Sequence, residues 1–347
     1  MKKAILAVLA LASVVACNKS EVLEVAPQKA ISFGNPFVEN ATKAIDPSET
    51  VATLDKFLVY ATVKNTDGAT ANIFNAVEVS SEIGTNPGTS VNGNTWGYES
   101  EYTQYWVPDN TYNFAAVANA TNVNVDAANN NMPTTIEYTT TSDYTKNGDA
   151  DLLYATKEET AGAESGNVEF AFNHLLSKVK FTFINGYPAD SEFEVKVSDI
   201  KITNAYKTGT YTIGAETPWA AKDEVEVNFG HIVENNEAQT AISMAATGKL
   251  KDDAWTTAAR YSSKYERLLI PGQNSFDITF TAEVSYRDVV VAKYNSATVT
   301  LPDNATIKPS YCYNFVGTIG QGLKPITFSV TSTGKWEQGA DQNVTVQ

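Results

Sequence analysis

Residues 193–197 read Phe-Glu-Val-Lys-Val, and their pattern, an apolar side chain at every second position, decides the fold. The same alternation recurs at 225–229, Val-Glu-Val-Asn-Phe, and at 276–280, Phe-Asp-Ile-Thr-Phe. Because successive side chains of a β-strand point to opposite faces of a sheet, this period of two predicts half-buried antiparallel strands. No amphipathic stretch of helical period and convincing length accompanies them. We therefore expect an all-β chain built of packed antiparallel sheets, that is, of β-sandwiches.

A stretch without strand pattern lies near the middle of the chain. Residues 158–167 read Glu-Glu-Thr-Ala-Gly-Ala-Glu-Ser-Gly-Asn, a composition typical of a loop between domains. Of the 347 residues, 43% are hydrophobic and 11% are aromatic, so each half holds enough apolar side chains for a core of its own. We predict two tandem β-sandwich domains, the second of which covers 166–347.

The first 17 residues have the features of a lipoprotein signal peptide. Two lysines, Lys2 and Lys3, precede an apolar run at 4–11, and the residues before Cys17 are small or branched. The run is too short for a membrane span, which takes roughly 20 apolar residues. Residues 14–17, Val-Val-Ala-Cys, match a lipobox. We predict that the 1–16 signal peptide is removed and that acylated Cys17 holds the protein on the outer membrane.

Charge and motif content argue against most enzymatic and nucleic-acid functions. Lys and Arg number 25 and Asp and Glu 40, and the net charge of −15 disfavours nucleic acid as a partner. No Gly-x-Ser-x-Gly elbow, phosphate-binding glycine loop or dinucleotide fingerprint occurs. His174 and His231 are the only histidines, too few for a site built on several imidazoles. We expect no catalytic residues, no metal and no cofactor.

Two local features permit a chemical interpretation beside an ordinary structural one. Asp149 and Asp151, in Gly-Asp-Ala-Asp, could hold a calcium ion, but the rest of the ligand spacing of a known calcium loop is missing. A solvated turn that begins a strand explains them more simply. Cys312 lies in the alternating run 311–316, which favours a small buried residue over a nucleophile or metal ligand.

The aromatic residues between 96 and 106 support an alternative function. Trp96, Tyr98, Tyr105 and Trp106, with Tyr102 beside them, could stack on sugar faces if they are exposed. The chain would then be a monomeric surface lipoprotein that binds glycans. In an all-β chain, however, aromatic residues more commonly fill a core. A glycosidase pair of carboxylates is recognised only by its separation in space, and the sequence leaves that point open.

Several short motifs occur in an order that resembles the fimbrillins of type V pili. Each motif alone is weakly specific, but together they follow the family's order across nearly the whole chain. The series begins with Ile31-Ser32-Phe33 and ends before Trp336. Between these two points come the segments 41–44, 109–119, 151–155, 172–179, 269–273, 308–311 and 326–330.

The resemblance implies two transthyretin-like β-sandwich domains, at 44–165 and 166–347, behind a leader at 17–43. In such proteins a protease removes the leader, whose strand, here residues 31–38, is the first strand of the N-terminal domain. The cut would fall between Lys43 and Ala44, where family members commonly have arginine. A strand of a neighbouring subunit then fills the open groove.

The resemblance also implies a donor strand and a function. The donor would be the C-terminal tail, where Val344 and Val346 alternate with polar residues and Trp336 can anchor a pocket. The same tail fits the last strand of its own sandwich equally well. The implied function is that of a structural subunit of a surface pilus, fimbria or adhesin, without catalysis. Its partners would be other pilus subunits, the lipid anchor in the outer membrane, and ligands on host or bacterial surfaces.

Overall fold

The computed structural model describes most of the chain, and its regular structure is almost entirely β-strand. The described residues are 29–38, 54–84, 90–92, 96–140, 150–161, 166–188, 190–234, 243–245, 261–301, 305–320 and 326–335. Within them, helix is limited to one short α-helix, α1 (Ser81–Gly84), and two 3-10 turns, Ser100–Tyr102 and Ala127–Asn129. The prediction of an all-β fold is confirmed. In this part of the chain, no helix has the length and apolar character needed to cross a membrane.

The strands are numbered in chain order. They are β1 (Phe37–Val38), β2 (Lys56–Lys64), β3 (Thr70–Ser80), β4 (Ser90–Asn92), β5 (Gly97–Glu99), β6 (Thr111–Ala118), β7 (Asn122–Asp126), β8 (Met132–Thr139), β9 (Leu153–Thr160), β10 (Ala171–His174), β11 (Ser177–Asn185), β12 (Phe193–Thr212), β13 (Trp219–Gly230), β14 (Ile232–Glu234), β15 (Ser243–Ala245), β16 (Tyr261–Ser263), β17 (Arg267–Leu269), β18 (Ser275–Tyr286), β19 (Val289–Thr300), β20 (Tyr311–Ile319) and β21 (Thr327–Lys335).

Three sheets contain these strands. The first has the order β1-β10-β9-β6-β2-β3-β5-β4. The second has the order β14-β16-β11-β20-β21, with β17 also on β11, and the third has the order β19-β18-β12-β8-β7, with β13 and β15 also on β12. Most neighbours are antiparallel, as predicted, but β1 runs parallel to β10 and β11 runs parallel to β20.

The second and third sheets face each other across the larger core, and the alternation at 193–197 explains how. Val195 and Val197 are fully buried there, while Glu194 and Lys196, on the other face of β12, are exposed. Phe181 on β11 and Phe315 on β20 meet them from the opposing sheet. Each such side chain stabilises the fold by about 1.5–3 kcal/mol through burial. The period of two therefore follows from one buried and one solvated face.

The 20-residue strand β12 connects the two parts of the molecule. Its first half pairs with β18, and its end, Thr208–Thr212, pairs with β8 from the first part of the chain. Between these regions the register shifts, and Asp199 has a left-handed φ of 53°. Such bulges bend a strand and re-aim it. The bend lets a single strand serve both partners, so the β7–β8 hairpin extends a sheet of the C-terminal sandwich.

The first sheet is covered on both faces at its centre. One face of β2 and β6 lines the N-terminal core, while Tyr60 and Val117 on the other face join a cluster with Leu176, Leu268 and Cys312. Cys312 is 3% exposed, so its predicted burial is confirmed. Strand β10, which follows the predicted boundary at 165 and 166, pairs with β9 in the first sheet. The boundary itself stays a prediction.

Candidate functional site: the leader strand in its groove

Residues 29–38, the described part of the predicted leader, lie inside the N-terminal core. Ile31 and Phe33 are completely buried, and Ser32 between them is 7% exposed. The alternation of the leader thus places both apolar side chains on the same inward face. The N-terminal core includes a segment that the resemblance marks for removal.

The backbone of the leader joins two segments that do not otherwise pair with each other. On one side, the Ile31 amide donates to the Gln104 carbonyl at 2.8 Å and the Trp106 amide donates to the Lys29 carbonyl at 3.0 Å, in antiparallel fashion. On the other side the pairing is parallel and involves 167–172. Its bonds are Val168 N–H to Ser32 O at 2.7 Å, Gly34 N–H to Val168 O at 2.9 Å and Phe37 N–H to Phe170 O at 2.9 Å.

Phe33 is enclosed by four aromatic rings, which we call the aromatic box. Its ring centroid lies 5.6 Å from those of Phe74 and Tyr98, 6.2 Å from that of Phe114 and 5.9 Å from that of Phe170. The first three contacts are edge-to-face and the fourth is stacked, which are the arrangements that aromatic quadrupoles prefer. The box is therefore shaped to hold an aromatic ring.

Two side-chain hydrogen bonds fix the leader along the groove. The Tyr98 hydroxyl donates to the Ile31 carbonyl at 2.7 Å, and the Ser32 hydroxyl donates to Asn167 Oδ1 at 2.6 Å. Burial raises the pKa of Tyr98 far above its ordinary value, so its hydroxyl remains a neutral donor throughout the physiological range. One bond reads backbone only, but the second requires a hydroxyl side chain at a defined position.

Loss of the leader would leave this groove costly in water. Ile31 and Phe33 each contribute about 1.5–3 kcal/mol through burial, and their removal exposes the apolar floor that they cover. Backbone groups of Gln104, Val168 and Phe170 would lose their partners at the same time. An exposed apolar groove with unpaired backbone groups on both sides is a ready acceptor for another β-strand.

Comparison with known proteins places this architecture in a family. A family model described as fimbrillin-like matches residues 42–345. The chain belongs to the fimbrillin-like family. The match begins after the leader strand, which the structure nevertheless places in the core of this fimbrillin-like chain. None of the curated proteins compared with the chain matches it.

Solved structures share the fold of this fimbrillin-like chain at low sequence identity. A fimbrial protein from Bacteroides vulgatus is 15% identical with a TM-score of 0.59, and the alignment covers 89% of this chain and 100% of that one. A candidate cell adhesion protein from Bacteroides uniformis is 13% identical with a TM-score of 0.46, over 90% and 99% of the two chains. A fimbrial assembly protein from Parabacteroides distasonis is 14% identical with a TM-score of 0.36, over 80% and 88%.

Most processing and donor residues predicted for the fimbrillin-like chain lie outside the described residues. These are Cys17, Lys43, Ala44, Trp336, Val344 and Val346. The structure describes the strand just before the tail: β21 pairs antiparallel with β20 and ends at Lys335, opposite Tyr311. Ile326 and Val330 contribute to the C-terminal core. Strand β21 is thus part of its own sandwich, and any donated segment begins after it.

The prediction of exposed sugar-binding aromatics is wrong for three of the residues named. Trp96 is 8%, Tyr98 0% and Trp106 5% exposed, and all three belong to the N-terminal core of the fimbrillin-like chain. Only Tyr102 and Tyr105 are open to solvent. Aromatic residues of an all-β chain fill cores because each removes a large apolar area from water.

The second pair singled out by sequence, Asp149 and Asp151, does not form a described cation site. Asp149 lies outside the described residues, and Asp151 Oδ2 is hydrogen-bonded to His174 Nδ1. Burial raises the pKa of the Asp151 carboxyl, and His174 beside it acts in the opposite direction. The pair ties β10 to the start of β9. Among the described residues, no group of three or more acidic, histidine or cysteine side chains could hold a metal ion.

The walls of the groove were not identified from the sequence. Asn167 stands at the end of the predicted interdomain loop, and Phe170 falls in the predicted second domain. Nothing local marks these residues as partners of Ser32 and Phe33, more than 130 positions earlier. The alternation of 168, 170 and 172, Val-x-Phe-x-Phe, does indicate a strand with one apolar face.

Proposed function

We propose that this fimbrillin-like protein is a structural subunit of a cell-surface pilus that is assembled by donor-strand exchange. It would be exported as a lipoprotein through Cys17, carried on the outer membrane, and act without catalysis. The observation that carries the proposal is the leader strand, whose fully buried Ile31 and Phe33 fill a groove between two chain segments. A removable strand in that position is what an acceptor groove for a neighbouring subunit requires.

The proposed cut would turn an intramolecular strand into an exchangeable one. The leader is described to Val38 and the next described residue is Leu54, so the bond between Lys43 and Ala44 lies in the connection between them. Before cleavage the tether keeps the leader at a high effective concentration, on the order of millimolar for a short flexible link. Afterwards the leader is held by non-covalent contacts alone. A strand from another subunit can then compete for the groove.

The C-terminal tail has the length and pattern of a donor. Twelve residues follow Lys335, and an extended chain of that length reaches about 40 Å. The ten described leader residues occupy about 33 Å of groove at the same rise. In the tail, Val344 and Val346 repeat the alternation of Ile31 and Phe33. Such a tail is long enough to replace the leader in a neighbouring subunit.

The proposal is tested with purified protein that starts at residue 18 and is trimmed after Lys43. We expect untrimmed protein to stay monomeric and trimmed protein to form multimers that survive detergent without heating. Deletion of residues 344–347 from trimmed protein should stop them, and untrimmed protein with the same deletion is the control for folding. Trimmed protein that releases its leader and stays monomeric at high concentration would refute donor-strand exchange in this chain.

The alternative, a monomeric glycan-binding lipoprotein, has lost its main support. Of the four aromatics proposed to stack on sugars, only Tyr105 is exposed, at 47%. A single tyrosine does not make a stacking platform. We therefore propose the assembly function alone.

A further inference from the structure

We propose that the groove selects an incoming strand with an aromatic side chain at the Phe33 position directly after a serine or threonine, and that its preferred occupant is a strand of a different subunit. This inference rests on the proposed function and adds the chemistry of the partner. It follows from the aromatic box, from the Ser32–Asn167 bond, and from the sequence of this chain's own tail.

The aromatic box sets the size of the occupant. Four rings surround Phe33 at centroid distances of 5.6 to 6.2 Å, and the ring is fully buried. Protein cores are close-packed, so a smaller side chain there leaves a cavity that the stiff rings of the box fill poorly. A valine in the box would lose the ring contacts and part of the buried apolar area.

The Ser32–Asn167 bond sets the register of the occupant. The Ser32 hydroxyl and Asn167 Oδ1 are 2.6 Å apart, and Ser32 is 7% exposed. A serine or threonine at this position donates the same bond, whereas an apolar residue leaves a largely buried acceptor without this donor. Because neighbours along a strand alternate in direction, the residue beside this hydroxyl then enters the aromatic box.

The tail of this chain meets the second requirement but not the first. Thr345 is the one threonine or serine after Lys335, and it lies between Val344 and Val346. With Thr345 at the position of Ser32, the box receives a valine whichever way the strand runs. Trp336 is flanked by Lys335 and Glu337, so placing its ring in the box would put a charged side chain against Asn167.

The position after the aromatic residue adds a preference for a small side chain. A Cβ atom on Gly34 would lie 3.1 Å from Glu169 Cγ, so Glu169 would have to shift to admit one. The strand that fits best therefore reads apolar, serine or threonine, aromatic, then glycine or another small residue. A neighbouring subunit whose donor carries that sequence would displace the leader more readily than a second copy of this chain.

A displacement experiment on the cleaved subunit tests this choice. The protein is labelled with a fluorophore on the leader and cut after Lys43, so that the labelled leader remains bound without a covalent link. Four unlabelled peptides then compete: leader 29–38, leader 29–38 with Phe33→Val, tail 336–347, and tail 336–347 with Val346→Phe. The measurement is the peptide concentration that releases half of the label.

We expect the Val346→Phe tail to release the label at a concentration at least about tenfold lower than the unchanged tail, and Phe33→Val to weaken the leader peptide by a similar factor. If the unchanged tail competes as well as its Val346→Phe variant, the selection of an aromatic residue is refuted, whereas the groove still exchanges strands. If not even the unchanged leader peptide exchanges, the proposed function fails and this inference fails with it.

Discussion

Replacement of Phe33 by alanine tests most directly whether the leader belongs to the fold of the precursor. The side chain is fully buried inside four aromatic rings. Phenylalanine-to-alanine changes at such sites lower the free energy of unfolding by about 3–5 kcal/mol, through lost burial and the cavity that remains. Since domains unfold with about 5–15 kcal/mol in total, this loss is a large fraction of the stability.

Urea unfolding of untrimmed protein, followed by tryptophan fluorescence, measures this loss. Trp96 and Trp106 are good reporters because both lie in the same core as Phe33. Phe37→Ala is the matched control: the same change on the same strand, at a side chain that is 63% exposed, should stay within about 0.5 kcal/mol. If Phe33→Ala is equally mild while Phe74→Ala loses several kcal/mol, the leader does not occupy the core and the groove argument is wrong.

Three further predictions concern other parts of the chain. Gly317→Ala should lower the free energy of unfolding by about 1–3 kcal/mol, because a Cβ there would lie 2.8 Å from Phe328 Cε1; Gly166→Ala, with open space around it, is the control in the same urea assay. Burial raises the folded-state pKa of Asp151, so its contribution to stability is present below the ordinary aspartate value of about 3.9 and is lost as pH rises through the folded-state pKa. Asp151→Asn should therefore gain on wild type as pH rises from about 4 to 7 in urea unfolding, and a pH-independent difference would contradict this. Cys17→Ser should abolish incorporation of labelled palmitate and release the protein from the membrane fraction, whereas Ser20→Ala should change neither.

Local pattern predicted the strands well, because one buried face imposes a period of two on any half-covered sheet. The alternation at 193–197 and the leader strand at 31–38 both depend on that rule, and Val195, Val197, Ile31 and Phe33 are indeed buried. Burial of Trp96, Tyr98 and Trp106 was not predictable in this way. Their burial depends on strands that fold over them from distant positions in the chain, and no local period records it.

Pairing between distant segments was the other limit of the sequence. Residues 167–172 read as the start of a second domain, yet they form the parallel wall of the groove in the first sheet. The β7–β8 hairpin likewise belongs to the first part of the chain but pairs with the end of β12. Alternation says that a segment is a strand and which side chains share a face. It carries no information on which strand lies beside it.

The leader accounts for both the stability of the precursor and its proposed readiness to assemble. As long as the chain between 38 and 54 is intact, an incoming donor must compete with a strand held at an effective concentration on the order of millimolar. Cleavage removes this advantage without changing any contact in the groove. The outcome then depends on side-chain fit alone, and an occupant without an aromatic residue starts at a disadvantage against Phe33. A groove of this kind keeps subunits apart before processing and afterwards favours the partner whose strand fills the box.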